Sequence, residues 1–346
     1  MLVLLGVVAA EIRLSLNAVN NDTHGPVKAD VAELPVELIP TKVLSMQVIA
    51  QTDPVLVTDE VEKVGTLSYK GKLGIVVNDY ANARGELSSL ENLLGKGFST
   101  VSIFKQFGSQ FNSELIIQDL QYIKNSGKNL LIAWEPWNPD EGMSQNRDYL
   151  AVIIRGEVDV YINRFAGQVK EYGNPVVIRF GHEMNGDWYP WGRRPDEYKL
   201  AYQRIVEVFG NAGVDNVKWM WSVNAEPVGG LASYYPGDGY VDVIGIDGFN
   251  WGTAAGRNSW RSFAEVFKPA YDYLINRYEK PLIISETASS EIGGDKPAWI
   301  QMMWEVLPLQ FSKVSEVIWF NLLKEADWRL ESSDTSLAAY KKVLGL

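Results

Sequence analysis

The stretch "PVVIRFGHEMNGDWYPWG", Pro175 to Gly192, begins as a six-residue run that is apolar but for Arg179 and breaks at Gly181 into a polar and aromatic loop. A β-branched run of that length, bounded by Pro and Gly, reads as a strand buried on both faces. The same pattern recurs at Leu73–Val77, Thr100–Phe104, Asn129–Trp134, Val217–Trp221, Val241–Ile246, Pro281–Ser285 and Glu316–Phe320. Segments of helical spacing fall between the runs, among them 157–172, 195–211, 263–277 and 296–310. Strand and helix alternating through eight rounds predict an α/β fold, a (β/α)8 barrel over residues 70–346. An open doubly wound sheet is the rival architecture. The chain has neither of the glycine-rich phosphate loops, G-x-G-x-x-G or G-x-x-x-x-G-K-[ST], that such a sheet uses to seat a nucleotide.

In the stretch before the barrel, residues 1–69, no helical period shows from Glu11 to about Tyr69, only short stretches such as "KVLSMQVIAQ" and "PVLVT" between Pro, Asp and Asn. They predict a short N-terminal extension, a linker or a small strand-rich appendage. Its first residues, "MLVLLGVVAA", are too few to cross a bilayer, which takes roughly 20 apolar residues, and carry no basic lead. They read as a trimmed signal or anchor, which points to an extracellular or cell-surface protein.

The net charge of −11 argues against a nucleic-acid partner or an anionic membrane surface, and 46% hydrophobic residues suffice for a large core. There is no cysteine, so no disulfide holds the fold. The 12 Trp and 16 Tyr often stand beside Asn, Asp and Gly, where aromatic faces can stack on sugar rings; the same residues are also ordinary core material.

His182 beside Glu183 invites a metal interpretation. A zinc-binding H-E-x-x-H helix needs a second histidine at position 186, which is Gly186. With two histidines, His24 and His182, and no cysteine, the expectation is no metal and no cofactor.

In a barrel of this kind chemistry collects at the C-terminal ends of the strands. Glu183 follows the fourth run and Glu286 the seventh, across the mouth from one another. One such glutamate alone is more often a salt bridge or a helix cap. Two of them among aromatics fit glycoside hydrolysis, one protonating the leaving oxygen and the other attacking the anomeric carbon or activating water. Opposed strand ends predict a carboxyl separation of roughly 5 to 5.5 Å, the spacing of retaining enzymes. Glu135, Asp247 and Asp327 are expected to support the site or bind sugar hydroxyls. His182 and Asn185 are expected to hydrogen-bond substrate or orient a carboxylate. Trp137, Trp188, Trp191, Trp251 and Trp319 should line one elongated cleft for a β-linked polysaccharide or oligosaccharide, worked on by a monomer.

"RFGHEMNGDWYPWG", "PLIISETASSEIGGDKPAWI" and "IWFNLLKEADWRLESS" resemble glycoside hydrolase family 26 from about Leu73 to the C-terminus, with the motifs in family order. The family comprises retaining (β/α)8 enzymes acting on β-mannan, mixed-linkage β-1,3-1,4-glucan or β-1,3-xylan. The resemblance implies that Glu183 is the general acid/base and Glu286 the nucleophile. It also implies that His182 is the family's neighbour of the acid/base, that Trp188 lines the subsite of the attacked sugar and that Trp319 lies beneath that sugar. Where the family has a tyrosine hydroxyl reaching the nucleophile, "IDGFNWG" has Phe249. Loss of that donor would raise the pKa of Glu286 unless Asn250 or a water replaces it. "WEPW", "GFNWG", "SSEIGG" and "KEADWR" look most like the mixed-linkage glucanase branch, with the mannanases as runner-up. A sugar-binding barrel without catalysis is a third possibility, against which the retention of both glutamates speaks.

Overall fold

The computed structural model describes residues 69–78, 83–109, 111 and 113–346. The extension expected over residues 1–69, with its signal or anchor and linker, lies outside the described residues save for Tyr69. Eight parallel strands close in sequence order into a barrel: β1 Lys72–Val76, β2 Thr100–Gln106, β3 Asn129–Glu135, β4 Val176–Phe180, β5 Val217–Asn224, β6 Val243–Asn250, β7 Leu282–Ser289 and β8 Val314–Phe320. Helices cover it: α1 Ala83–Leu94, α2 Ile117–Asn125, α3 Tyr149–Ile154, α4 Asp159–Tyr172, α5 Pro195–Asn211, α6 Phe263–Ile275, α7 Lys296–Gln310 and α8 Asp334–Val343. The (β/α)8 fold expected from the run-and-loop pattern is what forms.

Helix starts follow local chemistry. Ser262 and Glu265 close a capping box on α6, Asp295 caps α7, and Ser333 caps α8 by accepting from the Ser336 N–H. Each cap satisfies a backbone N–H that the first turn leaves free. The strands run past the expected ends. β5, β6 and β7 continue to Asn224, Asn250 and Ser289, so Asp247, Phe249 and Glu286 sit within strands rather than after them. Polar residues such as Ser222, Asp247 and Ser285 extend these strands because they bond one another across the barrel interior, which apolar patterning alone does not register.

Both faces of the sheet are buried. On the outer side the Trp134 ring lies nearly parallel to Phe165 of α4, 4.3 Å between centroids, and Phe180 packs on Tyr198 and Tyr202 of α5. Truncating a side chain such as Trp134 to alanine would cost about 3–5 kcal/mol, so this layer is what fixes the strand ends in place. The inner side turns polar toward the C-terminal ends, where Arg179, Glu135, Ser222, Asp247, Ser285 and Glu286 are all buried.

Candidate active site

Arg179 points inward from β4 and is fully buried. Its Nη1 donates to Asp247 Oδ2 at 2.8 Å and its Nη2 contacts Glu286 Oε1. Asp247 also accepts from Ser222 Oγ at 2.9 Å and Ser285 Oγ at 2.6 Å. Gly245 makes this possible, since a Cβ there would run into both serine hydroxyls. A buried guanidinium is tolerated only when paired, and here two carboxylates keep it charged despite its burial.

Glu183 stands across from this pair. After Gly181 ends β4 the chain turns sharply, and Glu183 takes a φ of 54°, in the left-handed region that non-glycine residues seldom adopt. Strain of this kind persists where the surroundings over-determine it and collects at functional sites. The surroundings are explicit. Trp188 Nε1 donates to Glu183 Oε2 at 2.6 Å and Asn224 Nδ2 to Oε1 at 2.7 Å. Gly186 leaves the space into which the Trp188 indole folds back, since an added Cβ would run into that ring.

Burial pushes the Glu183 carboxyl up to about 7, helped by Asp247 and opposed by Asn224, Trp188 and Arg179. Burial pushes Glu286 up to about 8, opposed by Arg179 and helped by Asp247 and Glu183. The Glu183 charge raises Glu286 further and Asp247 raises both, so these carboxyls titrate as a coupled group. His182 is held well below its usual range by burial and by the charges of Arg179 and Lys324, so its ring is neutral. Its Nε2 faces the Tyr189 hydroxyl at 3.2 Å and Glu135 Oε1 at 3.9 Å. Glu135 accepts from Gln106 at 2.6 Å and from Trp137 at 3.2 Å. Burial raises its pKa in spite of those donors.

The structure therefore brings Glu183, Glu286, His182, Glu135, Trp137 and Trp188 together at one strand-end mouth, and it corrects several other assignments. Asn185 spends its hydrogen bonds within the protein and supports Asn224, the donor to Glu183 Oε1. Its amide donates to the Asn224 and Pro227 carbonyls and accepts from the Asn224 N–H, which anchors the segment after β5. Asp247 takes the supporting half of its expected role and not the sugar-binding half: it has no exposed surface and is spent on Arg179, the partner of Glu286, and on two serines. Trp191, 1% exposed, stacks under Tyr189 at 4.3 Å and donates to the His182 carbonyl, so it builds the loop instead of lining the cleft.

Trp319 is also misplaced by the sequence reasoning. Its ring lies outside the barrel against Trp299 of α7 and Tyr340 of α8, with Nε1 donating to the Trp328 carbonyl. Successive residues of a strand face opposite sides, and the inward ring at this end of β8 is Phe320, which meets Phe104 and Phe249. Phe249 and Trp251 are half-buried and back onto Trp328. Asn250 does not stand in for the missing phenol, because its amide bonds Ser289 Oγ and the Arg261 N–H. Asp327 pairs with its neighbour Arg329 and not with the mouth.

Sequence reasoning missed Arg179 and Asn224. The signal for Arg179 was present, since a charge inside a five-residue apolar strand must find a buried partner. Nothing local marks Asn224, which depends on the length of β5.

The model of the family described as glycosyl hydrolase family 26 matches residues 143–286, a span that includes both glutamates. Endoglucanase H of Acetivibrio thermocellus is 40% identical over 271 residues, 75% of this chain and 29% of that protein. A mannan endo-1,4-beta-mannosidase of Bacillus subtilis is 30% identical over 154 residues, 41% of this chain and 39% of the relative. The chain thus spans well under half the length of these relatives. The family 26 domain of an endo-beta-mannanase/endo-beta-glucanase from Prevotella bryantii superposes with a TM-score of 0.59 at 16% identity, covering 80% of this chain and 90% of that one. At that identity the likeness speaks for the fold alone. This chain belongs to glycosyl hydrolase family 26.

Proposed function

We propose that the chain is a secreted, monomeric, retaining endo-β-glycanase, with Glu183 as general acid/base and Glu286 as nucleophile, acting on mixed-linkage β-1,3-1,4-glucan. The observation that carries this reading is the difference in donors around two buried carboxyls at one mouth. Glu286 touches a permanent cation, which favours its anion; Glu183 touches only an amide and an indole N–H.

In the first step Glu183 gives its proton to the glycosidic oxygen while Glu286 attacks the anomeric carbon, forming a glycosyl-enzyme and releasing the aglycone. In the second, the Glu183 carboxylate takes a proton from water, whose oxygen displaces Glu286. Arg179 contributes by offsetting the charge of Glu286 in the free enzyme. Trp188, 41% exposed and anchored through Glu183, offers a face to a sugar ring beside the scissile bond.

Glucan is favoured because the relative that matches over most of the chain bears the name endoglucanase. β-Mannan is the second reading, favoured by the mannosidase match, and it differs by the configuration of one sugar hydroxyl. Reducing-sugar release from barley β-glucan and from galactomannan separates the two, the expectation being faster release from the glucan. No release from either substrate would favour a binding protein. Among the described residues no helix is long and apolar enough to cross a membrane.

A further inference from the structure

We propose that Lys296, which takes no part in bond breaking, is a positioning residue that holds the loop after β8 so that Trp328 braces the aromatic wall of the cleft. Lys296 opens α7 and is fully buried. Its ammonium donates to the Arg329 carbonyl at 2.7 Å, to Ser332 Oγ at 2.7 Å and to the Asp327 carbonyl at 3.3 Å. All three acceptors lie on one loop. Trp328 stands between Asp327 and Arg329, two of the points of attachment. Its ring packs behind Phe249 at 5.2 Å and edge-on to Trp251 at 4.8 Å, and its carbonyl is held by Trp319 Nε1 at 2.9 Å.

The loop's far end is tied as firmly. Glu291, just past β7, accepts from Ser332 at 2.6 Å, Ser336 at 2.7 Å and Ser333 at 2.8 Å, and Ser333 is the residue that caps α8. Burying an ammonium costs free energy that an apolar side chain of the same volume would avoid. What only the ammonium supplies is three donors fanning from one point to the loop. The groups facing it are Glu291, Asp327 and Glu331, which favour the charge, and Arg329, which opposes it; burial outweighs them and brings Lys296 down to about 8. Deprotonation removes both the charge and one donor, so the loop should loosen as pH rises through that value.

The kinetic arm of the test rests on the glycanase reading; the exchange arm does not. Lys296→Met should raise KM for barley β-glucan about tenfold and leave kcat within about twofold, the pattern of lost binding rather than lost chemistry. Lys296→Arg should recover part of that loss. In wild type, KM should climb more steeply above pH 8 than in Lys296→Met, where only the site carboxyls still titrate. Hydrogen exchange should quicken at residues 321–333 of Lys296→Met with the remaining barrel unchanged. Should Lys296→Met fail to fold, Trp328→Ala carries the kinetic arm, since it removes the ring that Lys296 is proposed to position, and an unaltered KM in that variant overturns the proposal. An unaltered KM together with unaltered exchange in a folded Lys296→Met also overturns it. If wild type releases no sugar from β-glucan, the glycanase reading fails, and the exchange result still decides the role of Lys296.

Discussion

The carboxyls of Glu183 and Glu286 share one mouth but keep different company. Glu183 sits on a strained turn after β4 and accepts from two neutral donors, Trp188 and Asn224. Glu286 sits within β7 and accepts from the Arg179 guanidinium, itself tied through Asp247 to two serines. Ordered by their overall shifts, the proton would rest on Glu286, which is pushed up further. The contacts argue the other way, because a charge-assisted donor favours an anion more than an amide or indole does. The surroundings, and not the glutamate itself, therefore sort the two roles.

The sharpest break in this comparison is removal of either carboxyl. Glu286→Ala should abolish turnover of every substrate, by at least about 10⁴-fold, since no glycosyl-enzyme can form. Glu183→Ala should lose at least about a hundredfold on polysaccharide yet form the glycosyl-enzyme from a dinitrophenyl glycoside, whose leaving group needs little protonation. Added azide should restart Glu183→Ala and yield the β-glycosyl azide. The reverse pattern in the two variants would exchange their roles.

Next in size is Arg179→Lys. A single ammonium cannot span two carboxylates as the forked guanidinium does, so kcat should fall about 10- to 100-fold, matching one lost charge-assisted bond. The pH profile carries the sign. With the roles proposed for them, activity needs Glu286 ionised and Glu183 protonated, so it should fall on the acid side as Glu286 takes up a proton and on the alkaline side as Glu183 gives one up. Burial raises both groups, so the wild-type bell should lie above the ordinary carboxylate range. Arg179→Lys should move the acid limb upward; an unmoved limb would mean that the guanidinium does not govern Glu286.

Trp188→Phe is smaller. It deletes one donor to the Glu183 anion, so the alkaline limb should shift upward, with a loss of activity of roughly tenfold or less. The smallest effect is expected from Phe249→Tyr. Its ring already packs against Phe320 and Trp328, and a hydroxyl added at that position would lower the acid limb by offering Glu286 a donor. An unmoved limb would place the Phe249 edge away from Glu286.

How much of this was legible in the sequence follows from what each element faces. The barrel was readable because buried parallel strands are short apolar runs and the helices between them keep their period. That Glu183 and Glu286 meet at one mouth was readable because strand ends in a barrel converge there, although β7 runs on past Glu286. Orientation was not. β8 is apolar on both faces, so nothing in "VSEVIWF" tells Trp319, packed against α7 and α8, from Phe320, turned into the barrel. Asn185 and Asp247 look like ligands in sequence, but their hydrogen bonds are consumed by backbone and by Arg179, partners more than thirty residues away. Position 249 was readable as a departure, whereas the loss of Asn250 to Ser289 and Arg261 was not.

The most direct test of the central claim is to trap the intermediate. A 2-deoxy-2-fluoro β-cellobioside with a dinitrophenyl leaving group should inactivate the wild-type protein with stoichiometric release of dinitrophenolate, because the fluorine slows release of the glycosyl-enzyme more than its formation. Peptide mapping by mass spectrometry should then find the sugar on Glu286, within β7. A label on Glu183, or steady turnover without any label, would contradict the account.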